Sequence, residues 1–196
     1  MENTSGKIIV AGNLTFDPGA IIISNDGGNT WIASPQAIPI DKNLEKMQMF
    51  DNNNGFFSGR EGYFAKTTDG AMSLTQIVIP FVGINFLFDM DFITPLAGWV
   101  VGGIPNGGGG VIAKTTDGGL NWINQTPVGI PVVGRIDFVD ANIGYISSAQ
   151  GLHKTTNGGS TWSSITVPGL TAGINSIKDF DANNVYINSS AGEFFK

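Results

Sequence analysis

The sequence has no cysteine, a single histidine (His153) and only two arginines, Arg60 and Arg135, in 196 residues. Without cysteine, disulfides and thiolate chemistry are excluded, whatever the compartment. One histidine cannot form a metal-binding cluster, and His153 is read as a strand side chain. Its counterparts in the repeats described below are Ile22, Ala65, Ala113 and Phe195. With two arginines and a net charge of −6 there is no basic stripe to displace counterions from phosphates, which argues against nucleic acid as a partner. Charged residues are scarce at 13%, yet no apolar run approaches the length of a membrane span. The first residues, "MENTSGKIIVAGN", lack a basic segment followed by an apolar stretch, so no signal peptide is read there. Helical periodicity is nearly absent, the one doubtful stretch being 44–49.

What is plentiful is glycine, 28 residues, within a chain that is 41% hydrophobic. That is enough apolar material for a packed core and many tight turns, the composition of an all-β chain. The turns repeat. Asp26, Asp69, Asp117 and Asn157 stand in near-identical phrases at intervals of 40 to 48 residues. Around each marker four short strands recur. Strand a ends in Phe and Asp ("MQMFD", "DMDF", "RIDF", "IKDF"). Strand b opens on Gly or Asn ("GFFSG", "GWVVGG", "GYISS", "NVYINSS"). Strand c reads "YFAKTT", "VIAKTT" or "LHKTT", and strand d follows the turn and carries a tryptophan. The order along the chain is bcd, abcd, abcd, abcd, abc, with repeats at about 7–33, 47–76, 89–125, 135–165 and 177–196. Four-stranded meanders of this period are expected to stack radially as propeller blades within one domain, 1–196.

The c–d turn explains its own composition. Paired glycines allow positive φ, the Asp or Asn accepts local N–H groups, and the preceding Ser or Thr adds a further bond. The tryptophan is expected to bury itself against a neighbouring strand. Ser24, Asp26, Gly28 and Trp31 make the first copy, and Thr67 and Asp69 the second. Thr115, Asp117, Gly119 and Trp122 make the third, and Thr155, Asn157, Gly159 and Trp162 the fourth. Ala71 and Leu74 replace glycine and tryptophan in copy two, which should be the least regular. Asn157 in place of the acid marks the turn as a structural staple rather than a charged site.

These phrases match the pattern Ser/Thr-x-Asp-x-Gly-x-Thr-Trp, and the chain resembles Asp-box (BNR-type) β-propellers. With "F-x-D-x-x-x-G-Y/W" before each turn, the repeats look closest to photosystem II assembly factor-like propellers. The resemblance implies an all-β propeller of four-stranded antiparallel blades, about five of them with incomplete terminal blades. A part of a seven- or eight-bladed ring is the alternative.

Enzymatic readings are weaker. The sialidases that this fold brings to mind clamp a carboxylate with three arginines, and two cannot form that clamp. Another glycoside hydrolase needs two facing carboxylates, whereas most of the aspartates here sit in turns. Calcium has fragments of a loop at Asp51 and Asn53 and at Asp179 and Asp181, without the distal bidentate Glu. No cofactor, resident metal or catalytic residue is expected. Four glycosylation sequons begin at Asn3, Asn13, Asn124 and Asn188.

In a meander the a–b and c–d turns share one face, while b–c loops and d–a connectors share the other. The second face collects the apolar connectors 34–46, 77–88, 126–134 and 166–175 and both arginines. A non-enzymatic binding or scaffolding module is therefore expected, acting outside the cytoplasm. Phe81 would be its anchor, with Arg60, Glu61 and Arg135 as flanking charges. A carbohydrate-binding lectin or adhesin is the alternative. The incomplete terminal blades also suggest self-association, since unfinished sheet edges invite pairing.

Overall fold

The computed structural model describes residues 6–12, 20–39, 42–81, 85–104, 108–181 and 184–196. Its described strands form five antiparallel sheets, each a meander in chain order. The first comprises β1 (Ile8–Gly12), β2 (Ala20–Ser24) and β3 (Ile32–Ala33). The second comprises β4 (Leu44–Met49), β5 (Gly55–Gly59), β6 (Phe64–Thr67) and β7 (Thr75–Gln76). The third holds β8 (Phe86–Phe92), β9 (Gly98–Gly103), β10 (Gly110–Thr115) and β11 (Ile123–Asn124). The fourth holds β12 (Val133–Phe138), β13 (Gly144–Ser148), β14 (Gly151–Thr155) and β15 (Ser163–Ile165). The fifth has β16 (Ile174–Asp181), β17 (Asn184–Ser189) and β18 (Phe194–Phe195). No helix occurs among the described residues, so the doubtful stretch at 44–49 is strand β4. None is therefore long and apolar enough to cross a membrane.

The chain divides into two compact units, residues 1–78 and 79–196. In the first, Ile21 and Ile23 of sheet one pack with Leu44, Phe57 and Ala65 of sheet two, closed by Ile38 and Tyr63. In the second unit, Trp99, Val101 and Ile112 of sheet three meet Val133, Ile136, Phe138 and Ile146 of sheet four. Tyr145 and Leu152 of sheet four then meet Ile177 and Ile187 of sheet five. Burying large aliphatic and aromatic side chains in this way contributes roughly 1.5–3 kcal/mol each.

The recurring Phe and Gly of strands a and b are sterically coupled. A Cβ at Gly98 would run into the ring of Phe92, and one at Gly144 into that of Phe138. Only glycine lets the aromatic ring lie on the neighbouring backbone. Each first strand of sheets two to five carries a bulge near its start, at 44/46, 87/89, 133/135 and 174/176. A bulge at one fixed place increases local twist, and its repetition gives these sheets a common shape.

Candidate binding surfaces and the carboxylates around them

The four c–d turns share one hydrogen-bond scheme. In the first, Ser24 Oγ donates to Asp26 Oδ1 (2.8 Å) and accepts from Gly28 N (2.8 Å). Asp26 in turn accepts from Thr30 N (2.9 Å) and Thr30 Oγ1 (2.6 Å). Thr115, Asp117, Gly119 and Asn121 repeat it, as do Thr155, Asn157, Gly159 and Thr161. In the last copy Asn157 Nδ2 donates to Thr161 Oγ1 (2.8 Å), so an amide serves where the others use a carboxylate.

Copy two is not irregular, contrary to the expectation from Ala71. Thr67 Oγ1 accepts Ala71 N (2.8 Å), and Asp69 accepts both N and Oγ of Ser73. Ala71 adopts φ 68°, held there by these bonds at the steric cost of its methyl group. Trp31 also departs from expectation. It is 42% exposed and folds over its own turn, with Nε1 donating to Gly28 O (3.0 Å). Trp122 is buried and Trp162 half-buried, edge-on to Phe138.

The turn carboxylates are spent inside their turns. The hydroxyl and then the N–H of Thr30 hold Asp26 down at about 2, and the Ser73 hydroxyl likewise lowers Asp69. Asp117 is lowered by the Asn121 N–H and side chain. The calcium candidates behave similarly. Asp51 accepts from Asn53 N (2.7 Å), Asn54 N (2.8 Å) and Asn54 Nδ2 (2.8 Å), and Asp181 accepts from Asn184. Among the described residues, no three His, Asp or Glu side chains gather as a metal would require.

Asp179 belongs to a different arrangement, one that sequence reasoning missed. The first strands β8, β12 and β16 lie side by side, and carboxylates bridge between them. Asp91 Oδ2 accepts Phe138 N (2.7 Å), Asp89 Oδ2 accepts Ile136 N (3.2 Å), and Asp137 Oδ2 accepts Asp179 N (2.6 Å). Lys178 Nζ sits 2.9 Å from Asp137. Burial pushes Asp91 up to about 6, opposed by the Phe138 N–H. Burial and the Asp137 charge bring Asp179 to about 6 as well, and its Oδ2 has no hydrogen-bond partner among the described residues. The recurring Asp of strand a was the available signal.

The proposed anchor residues are placed in both units. Arg60 and Glu61 share the β5–β6 turn, where Glu61 (φ 52°) and Gly62 (φ 64°) both take left-handed backbone, and Arg60 Nε pairs with Glu45 at 3.1 Å. Phe81 lies half-buried in the second unit, and residues 82–84 of its connector fall outside the described residues. Arg135 is no free charge. Its Nε donates to Asn175 O and a terminal nitrogen to Gly134 O (2.7 Å), tying β12 to β16.

Two clefts flank the segment 165–167 between sheets four and five. The wider, about 550 Å³, is bounded by the 148–151 turn and the 166–174 connector, with Leu170 and Ile174 in its wall. Ser148 and Ser164 line it and hold the buried His153 from both sides, at 3.0 Å on Nε2 and 3.3 Å on Nδ1. Burial lowers the His153 pKa, which favours the neutral ring. The narrower cleft, about 340 Å³, is walled by Leu152, Val167, Pro168, Val185, Ile187 and Phe195, with Lys154 and Lys196 also contributing to its lining.

Solved structures share this arrangement of sheets. A GH74 xyloglucanase from Xanthomonas campestris superposes with a TM-score of 0.76 at 12% identity over 98% of this chain. The fold is a β-propeller. An ancestral GH74 enzyme gives a TM-score of 0.70 at 16% identity over 98% of the chain. YCF48 from Cyanidioschyzon merolae gives 0.62 at 14% identity over 97%. The present chain spans 34% and 27% of the two GH74 proteins and 67% of YCF48. No family model matches the sequence, and no curated protein matches it. The five sheets are thus blades of a propeller, three of them four-stranded and two three-stranded among the described residues.

Proposed function

We propose that this propeller is a non-enzymatic binding module that takes an extended segment of a partner protein along the groove between blades four and five. The observation that carries the reading is a difference between two equivalent places. Between blades three and four, Trp162 packs into the shared core beside Phe138. Between blades four and five the narrow apolar cleft remains open. A pocket of this size with apolar walls and charged groups in its lining suits an aromatic or aliphatic anchor. The wider cleft beside it, with the hydroxyls of Ser148, Ser164 and Thr171 in its lining, suits the polar backbone of the same segment. Binding thus stays on the connector side, with its centre at the 165–174 connector. Phe81, Arg60 and Glu61 remain proposed contacts.

The test is to probe the immobilised chain with a displayed random-peptide library and, in parallel, a glycan array. Peptides with an aromatic or large aliphatic residue should be enriched, and Val167→Asp and Leu170→Asp should lose them while the far-ultraviolet spectrum is kept. Capture of glycans in place of peptides would replace this reading with a lectin or adhesin. A glycosidase has one supporting observation, the carboxyls of Asp91 and Asp179 held near 6, the range of a general acid. Hydrolysis of xyloglucan or aryl glycosides that is lost in Asp91→Asn would favour it.

A further inference from the structure

In each blade, we call forward the face whose strand positions meet the following blade within a unit, and backward the opposite face. On the forward faces of blades two to five a ring and a lysine recur as a pair: Phe56 with Lys66, Trp99 with Lys114, Tyr145 with Lys154, and Tyr186 with Lys196. Within the second unit the structure shows what covers such a pair. Trp99 is fully buried by blade four, stacked on Phe138 at 3.5 Å with Nε1 donating to Gly158 O (3.2 Å). Tyr145 is covered by Ile177, Val185, Ile187 and Phe195 of blade five. On blade five Tyr186 is 41% exposed and Lys196 is exposed, and Phe194 on the same face is 82% exposed.

Blade one presents the converse. Ile9, Ala11, Ile21 and Ile23 form its covered forward side. Its backward side carries Ile8, Val10, Ile22 and Trp31, between 38% and 45% exposed. Val10 and Ile22 are cross-strand partners, and Ile8 and Trp31 flank Gly28 together. Trp31 occupies the repeat position that Trp162 holds in blade four, where the preceding blade covers it.

We infer that the backward face of blade one in one copy of this chain docks on the forward face of blade five in a second copy, giving head-to-tail association. The covered interfaces of the second unit supply the occupant's chemistry: an apolar backward face, with a turn tryptophan in blade four, set on an aromatic–lysine forward face. Exposed apolar faces of this kind mark association surfaces. The two patches differ, so the contact is heterologous and each copy keeps one face for a further copy. This inference does not rest on the proposed function, although Lys196 also contributes to the lining of the narrow cleft.

Sedimentation velocity over micromolar to hundred-micromolar concentrations tests it. The intact chain should form oligomers, whereas Trp31→Asp and Phe194→Asp should each sediment as monomers. An equimolar mixture of the two variants should give a single dimer, because each retains the face that the other lacks. Ile22→Lys repeats the blade-one test should Trp31→Asp fail to fold, and Leu120→Asp, an exposed residue of a blade-three turn, should change nothing. A wild-type chain that stays monomeric throughout, or a variant mixture that does not associate, overturns the inference.

Discussion

Trp99 lies flat on Phe138, ring centroids 3.5 Å apart and planes within 6°, and the two residues come from different blades. The stack places the forward aromatic of one blade on the strand-a aromatic of the next. Trp99→Ala is therefore expected to cost roughly 3–5 kcal/mol. A double-mutant cycle with Phe138→Leu should return a coupling of about 0.5–1.5 kcal/mol. Denaturant melts of the four species give both numbers.

Asp117→Asn should be nearly neutral, because Asn157 holds the same turn with an amide oxygen. Thr115→Ala should cost more, about 1–3 kcal/mol, since it strands the buried Gly119 N–H. Equal losses in thermal melts would contradict this account of the turn.

The pH profile follows from two sets of carboxyls with opposite shifts. Asp91 and Asp179 are raised above the ordinary value of 3.8 to about 6, so the folded state holds protons that the unfolded chain has released. Their contribution falls as pH climbs from about 4 to about 6 and is level above that. Asp26, Asp69 and Asp117 are lowered, so their contribution is present above about 4 and lost as pH falls below it, for Asp26 through about 2. Stability should peak near pH 4–5. Asp91→Asn, which can still accept the Phe138 N–H, should gain about 1–2 kcal/mol at pH 7. Melts from pH 3 to pH 8 would show its decline above pH 4 flattened.

Phe81→Ala and Arg135→Glu should part company. Reading the sequence alone, both would spare the melting curve while weakening capture of a partner. Because Arg135 bonds the Asn175 carbonyl, its reversal should lower the melting temperature as well. Phe81→Ala, outside that tie, should leave it within a degree or two. Differential scanning calorimetry on the two variants separates them.

The strands and turns were legible because their signals are local: Gly-Gly after Asp, Phe before Asp, Gly before an aromatic residue. Ala71 misled because residue preference weighs less than the hydrogen bonds of Thr67, Asp69 and Ser73 that hold the chain in the same turn. The tryptophans look alike in sequence, yet they differ in burial: Trp162 packs against the core shared with blade three, whereas Trp31 folds over its own turn with Nε1 on Gly28 O. The bridging aspartates of strand a were visible as a motif, but their partners lie more than forty residues away on a neighbouring first strand. The groove at 165–174 was legible only as an apolar connector, since its walls come from two blades.

The bridges from Asp89 and Asp91 to Ile136 and Phe138 also settle what the first strands do not become. β8 and β12 run beside one another, and each is an edge strand of its own sheet. Adjacent strand edges with unclaimed amides would zip together and fuse two blades into one continuous sheet. Side-chain oxygens occupy those amides instead. The blades are thereby joined and kept separate by the same bonds.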